Sequence, residues 1–241
     1  DPENTEIDQG FVKYVRDGLS LKVGRQIIAL DGQRFVGHVG WRQDRQTFDA
    51  ATINYAFNNI NLQYSYLNKR NRIFADDKDI KSSDHLINAS FKTDYGKVVL
   101  YSYLLSDDAI QDHSLDTYGV SFNGNKTLND IKFYYKAEYA TQSASTSVND
   151  FDADYYALEG AVDLNGLGIK TVTLKVGIES LGSDNGDYGF ATPLATLHKF
   201  NGWTDTFLNT PTQGLDDTYI SLNGKAFDGK WLVAYHSFDA N

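Results

Sequence analysis

Apolar and polar side chains alternate with a period of two through most of this chain, and charged residues occupy the polar phase. Ile60, Leu62, Tyr64 and Tyr66 share one phase, with Asn61, Gln63 and Ser65 in the other. Ile87, Ala89, Phe91 and Tyr95 oppose Asn88, Ser90, Lys92 and Asp94; Tyr118, Val120 and Phe122 oppose Thr117, Ser121 and Asn123. Ile131, Phe133, Tyr135, Ala137 and Tyr139 oppose Lys132, Lys136 and Glu138. Tyr156, Leu158, Val162 and Leu164 oppose Glu159 and Asp163, and Val172, Leu174, Val176 and Ile178 oppose Lys175 and Glu179. Successive side chains of a strand leave opposite faces of the sheet, so each segment reads as a strand with one greasy face and one wet face. A soluble sandwich and a membrane barrel both satisfy this pattern, since the greasy face can meet either a core or lipid.

Composition supports long, uninterrupted strand pairing. No proline lies between Pro2 and Pro193, while 16 tyrosines and 14 phenylalanines supply strand-favouring aromatics. No apolar run approaches the roughly 20 residues of a membrane helix. The mean hydropathy of -0.44 does not argue against a membrane barrel, whose lipid face is hidden by alternation. A net charge of -10 sets aside a sequence-independent grip on nucleic acid. The absence of cysteine excludes a disulfide scaffold and thiolate chemistry. With neither a signal peptide nor a starting methionine, the chain reads as a mature or trimmed product.

Connection lengths favour the membrane. Tight turns are expected at Asp17-Gly18, Asn58-Asn59, Gly96, Asn125 to Asn129, Asn165-Gly166 and Asp228-Gly229. Longer connections, Ala29 to Arg45, Asn71 to Ser83, Asp107 to His113, Ser143 to Ala153 and Gly182 to Asp216, alternate with them. Short periplasmic turns and long extracellular loops produce such asymmetry in an outer-membrane barrel. Twelve strands are expected, near 5–16, 18–28, 46–57, 59–70, 84–95, 97–106, 114–124, 129–142, 153–164, 168–181, 217–225 and 229–239. With short turns in the periplasm, both chain ends fall on the extracellular side, so the chain is expected to be an internal excerpt of a longer barrel.

The run Gly24-Arg25-Gln26, Leu30-Asp31, Gln33 to Gly37, Val39 to Gln43 and Gln46 to Ala50 resembles the alginate-export family of outer-membrane porins. The block Ala191 to Phe200 with Gly202-Trp203 is similar to the long loop before the last strands of that family. The resemblance implies an all-β, antiparallel, up-and-down transmembrane barrel of about 18 strands. It also implies a bacterial outer-membrane location and passage of hydrophilic, including anionic, saccharides such as alginate. Residues 1–241 are expected to form one barrel domain, with loops 29–45 and 182–216 extracellular or folded into the pore.

The expected pore lining is Lys92, Lys132, Lys136, Lys175, Glu138, Glu159, Asp163 and Glu179, with Arg25, Arg34, Arg42 and Arg45 around the first long loop. Guanidinium groups there suit bidentate binding of carboxylates, but they also suit rim pairing with Asp31, Asp44 or lipid phosphates. Arg25 shares its phase with Leu19, Leu21 and Val23, and reaches the wet face only through a bulge at Gly24. Asp150 to Asp154 opens like a calcium loop, but Tyr155 and Ala161 stand where glycine and glutamate are required. The run Asp76 to Asp79 also reads as a solvated acidic loop. The histidines show no metal-ligand spacing, no serine sits in a nucleophile elbow, and the Glu159/Asp163 pair suits lining more than glycosidic catalysis. Neither enzyme activity nor a cofactor or metal is therefore expected. Tyr64, Tyr66, Tyr101, Tyr103, Tyr134, Tyr135, Tyr139, Tyr155 and Tyr156 suit interfacial aromatic girdles or sheet packing. Expected partners are outer-membrane lipid and lipopolysaccharide and an oligosaccharide solute. The rival reading is a secreted, soluble, β-rich carbohydrate-binding protein.

Overall fold

The computed structural model describes residues 6–74, 76–108, 113–164, 172–226 and 228–240. Twelve strands form one antiparallel meander. They are β1 (Gly10–Arg16), β2 (Leu19–Gln26), β3 (Thr47–Phe57), β4 (Ile60–Asn71), β5 (Ile80–Thr93), β6 (Gly96–Ser106), β7 (Ser114–Leu128), β8 (Ile131–Ser145), β9 (Asp150–Asp163), β10 (Val172–Leu181), β13 (Leu215–Ala226) and β14 (Gly229–Asp239). The two-residue strands β11 (Ser183–Asp184) and β12 (Tyr188–Gly189) form a small hairpin inside the last long connection. Each long strand pairs with its sequence neighbours in the order β1 to β10, then β13 and β14, the expected up-and-down topology.

The turns are tight because their residues tolerate positive φ. The turn expected over Asn125 to Asn129 is corrected: Asn129 (φ 48°) and Asp130 (φ 64°) form it, so β7 runs on to Leu128 and β8 starts at Ile131. The expected turn at Asn165-Gly166 lies outside the described residues. The connection expected over Ser143 to Ala153 is corrected: β8 and β9 stay paired to Ser145 and Asp150. Four residues remain between them, closed by a turn in which the Asn149 amide donates to the Thr146 hydroxyl at 3.0 Å. Polar content alone does not end a strand when Ser143 and Asp152 can bond across it at 2.6 Å.

One face of the sheet carries the apolar phase. Leu21, Ile53, Leu62, Ile87, Leu100, Val120, Tyr139, Leu158, Val176 and Ile220, from ten different strands, are all exposed. They form a band running across the sheet, which we call the outer face. No second sheet covers it among the described residues. The buried cluster lies against the opposite, inner face, where Phe48, Leu67, Leu86, Val99, Tyr101 and Tyr155 meet Phe35, Val36, Phe190 and Leu194 from the two longest connections.

Candidate functional site

Loop A (residues 27–46) and loop B (residues 182–214) turn back over the inner face and join each other. Val36 and Leu194 form a parallel bridge, and the Gly37 amide donates to the Leu194 carbonyl at 2.8 Å. The approach is close enough that a Cβ at Gly37 would lie 2.3 Å from Thr196 Oγ1, so glycine is required. The buried Gln46 side chain donates to the carbonyls of Gly37 and Leu194, both at 2.9 Å. Arg72, just past β4, donates to Gln46 Oε1 and the Pro193 carbonyl, both at 3.0 Å. Burial and neighbouring Arg70 lower the Arg72 pKa.

Loop B is also held by the sheet. Gln142 on β8 donates to the Ala191 carbonyl at 2.9 Å and accepts from the Ala191 amide at 2.7 Å and the Tyr188 hydroxyl at 2.8 Å. Burial pushes the Tyr188 hydroxyl up to about 12. At the tip of loop A, Phe35 sits among Tyr101 and Tyr155 (ring centroids 5.2 Å each), Phe190 (5.9 Å) and Tyr103 (6.2 Å). Tyr101 lies flat because Gly119 opposes it on β7; a Cβ there would meet its ring at 2.2 Å. Tyr101, Tyr103 and Tyr155 therefore form the seat for loop A on the inner face, which corrects their expected place in an aromatic girdle. Alternation gives each strand one greasy face, but loop A gives the inner face a dry patch of its own. β6 carries a signal of this: it is apolar in both phases, as a strand covered on both sides must be.

Ion pairs surround this seat. Glu138 (β8) takes Lys136 at 2.7 Å and the Tyr101 hydroxyl at 3.1 Å. Glu159 (β9) takes Lys175 at 2.9 Å and the Tyr219 hydroxyl at 2.7 Å. Glu179 (β10) takes Arg34 and the Tyr155 hydroxyl, both at 2.7 Å. The same arrangement thus occurs on three successive strands: a carboxylate held by one cation and one tyrosine hydroxyl. Arg34 reaches Glu179 from loop A and donates its Nη1 to Thr192 of loop B at 3.1 Å. Burial disfavours its charge, but Glu179 and the Tyr155 hydroxyl outweigh it, and the Arg34 pKa stands above its ordinary value. Lys97 pairs with Asp31 of loop A at 2.8 Å, and Asn88 donates to the same carboxylate at 2.7 Å.

The expected lining residues separate into two groups. By strand register, Lys92, Lys132, Lys136, Glu138, Glu159, Asp163, Lys175 and Glu179 share the inner face; Lys92 opposes Lys97, and Lys132 opposes Asp163. Of the four arginines only Arg34 joins them. Arg25 pairs with Asp49 at 2.8 Å in the phase of Leu21 and Val23, and its register against β1 continues through Gly24. Arg45 pairs with Asp8 at 2.8 Å, and Arg42 lies over the exposed Trp41 ring at 4.7 Å. The sequence reading did not single out Lys97, Lys199 or Tyr219. Lys199 of loop B donates to the Gly32 carbonyl at 2.9 Å, and burial, then Lys136 and Lys175, lower its pKa. No periodicity could reveal it, because it sits in a loop.

Among the described residues, no group of three acids or histidines is placed to hold a metal. Asp152 and Asp154 instead accept from Ser143 (2.6 Å) and Tyr139 (3.0 Å). Chemically, the assembled site offers paired charges, hydroxyls and amides beside aromatic walls, all on the face opposite the apolar band.

Comparison with known proteins fits this geometry. Residues 1–191 match the family described as alginate export. None of the curated proteins matches the chain in sequence. Among solved structures, Pseudomonas aeruginosa OpdO superposes with a TM-score of 0.66 at 11% identity, covering 95% of this chain and 62% of that one. Acinetobacter baumannii OccAB4 gives a TM-score of 0.68 at 13% identity, covering 94% and 58%. Pseudomonas aeruginosa OccK2 in complex with glucuronate gives 0.63 at 10% identity, covering 95% and 74%. The chain therefore spans about three fifths of the length of the first two.

Proposed function

The chain belongs to the alginate-export family, and from that premise we propose that it is the wall and constriction of a passive channel for hydrophilic solutes, including sugars and sugar acids, in the bacterial outer membrane. One observation carries this reading: the same strands present a continuous exposed apolar band on one face and a field of paired charges on the other. Soluble monomers rarely leave so large an apolar surface uncovered, whereas a bilayer covers it at no cost to solubility. This counts against the secreted sandwich.

The whole of residues 1–241 then acts as one barrel domain, with outer-membrane lipid and lipopolysaccharide against the band. Lys92, Lys132, Lys136, Lys175, Glu138, Glu159, Asp163, Glu179 and Arg34 line the water path, and loops A and B narrow it. Arg25, Arg42 and Arg45 belong to the rim. The ion pairs keep the narrow zone hydrated and replace part of a solute's water shell, so that passage follows the gradient without a chemical step. The glucuronate held by a protein of similar fold supports a sugar-acid solute.

Reconstitution tests the reading. The protein in liposomes should admit monosaccharides in a swelling assay and give step currents in planar bilayers. Purification as a soluble monomer without detergent, or liposomes that stay impermeable, would overturn it.

A further inference from the structure

Between loop A and strands β6 to β8 lies a cavity of about 320 Å³, lined by residues of loop A and by Lys97, Tyr101, Tyr103, Ser121, Asn123, Lys136 and Glu138. Its size is that of a small-ligand site and leaves room for one pyranose ring with little water. One wall is aromatic: Phe35, Tyr101 and Tyr103, packed together and fixed by Phe190 and Tyr155. The charges around it cancel in pairs, Lys97 with Asp31, Lys136 with Glu138, and Arg34 with Glu179. What remains among the described residues is hydrogen-bonding capacity that these pairs do not use. The Ser121 and Asn123 side chains have no hydrogen-bond partner among the described residues, although Ser121 is 4% exposed. Arg34, itself 4% exposed, lines the cavity and keeps an Nη2 with no acceptor. A buried donor left unmade costs free energy, so each of these groups favours a ligand that supplies oxygens.

We infer that this cavity is a saccharide subsite that reads hydroxyl groups and does not discriminate by charge. The aromatic wall takes the apolar face of the ring, and Ser121, Asn123 and Arg34 Nη2 take its hydroxyls. With each cation of the lining, Arg34, Lys97 and Lys136, matched by a carboxylate, a carboxylate on the sugar gains little net attraction. The inference rests on the channel reading and narrows it: neutral hexoses occupy the path as readily as hexuronates.

The test is interruption of single-channel current in planar bilayers, using D-glucose and D-glucuronate as separate probes. Both should interrupt the current, with half-blocking concentrations within about threefold of each other. Ser121→Ala with Asn123→Ala should raise both concentrations by about tenfold, since two modest hydrogen bonds are lost, and should leave the sugar-free current unchanged. Neither side chain has a partner to lose among the described residues, and the sugar-free current reports that the variant is assembled. Block by glucuronate alone, or a double variant that blocks like the parent, overturns the subsite. Step currents that neither sugar interrupts overturn the subsite and leave the channel standing. Bilayers without step currents overturn the channel and the subsite with it.

Discussion

Breaking the Arg34–Glu179 pair should release both loops. Their side chains are 4% and 11% exposed, with Nε and Oε1 2.7 Å apart, so the pair is buried and well formed. Removing one member of such a pair costs about 3–5 kcal/mol, chiefly because the other is left charged and unsolvated. Replacing both with apolar groups of similar size costs far less, since no charge remains to be stranded. Here the cost falls on loop closure, because Arg34 also donates to Thr192 and thereby joins loop A to loop B. Even about 3 kcal/mol raises the fraction of open loops on the order of a hundredfold. Limited proteolysis of the protein in vesicles reads this fraction when reclosing is faster than cleavage. Arg34→Met and Glu179→Leu should each accelerate cleavage within residues 182–214 on the order of a hundredfold, with a larger and noisier conductance. The double variant should fall back to within about tenfold of the parent. Single variants cleaved at the parental rate, or a double variant cleaved as fast as either single, would refute the latch.

Phe35→Ala should loosen the same closure by about 3–5 kcal/mol, through loss of a ring held by four aromatic neighbours, and it should raise conductance without altering strand content by circular dichroism. On the outer face, Leu100→Lys or Ile178→Lys should cost about 2–4 kcal/mol of stability in a bilayer, measured by urea unfolding in vesicles. A soluble sheet would be indifferent to either. The lowered pKa of Lys199, caused by burial and then by Lys136 and Lys175, means that its charge is lost as pH rises before an ordinary lysine loses its own. The cation-to-anion permeability ratio, read from reversal potentials, should therefore begin to rise below pH 10.5, and Lys199→Met should remove that early rise. An unchanged profile in the variant would assign the titration elsewhere.

Much of the sheet was legible because strand periodicity is a local property. The phase that carries Leu62, Val120 or Ile178 is written in each segment, and register in a hairpin follows from its turn. Hence the inner-face placement of Lys136, Glu159 and Glu179 could be read before any contact was known. The long connection expected over Ser143 to Ala153 is a strand pair instead because serine and aspartate discourage strands only until a cross-strand partner satisfies them. Tyr101 and Tyr155 were misplaced because an aromatic side chain looks the same on either face.

What no local pattern contains is which residues distant along the chain will meet. Arg34 and Glu179 are 145 positions apart, and Lys97 finds Asp31 across 66. Those encounters depend on loops A and B folding back over one particular face of the completed sheet. The amino-acid order thus determined the strands, their pairing and which side carries the apolar phase. The packing of the finished molecule alone decided which charges cancel, where a ring-sized cavity remains and what holds it shut, because partners so far apart are brought together only once the sheet exists to receive the loops.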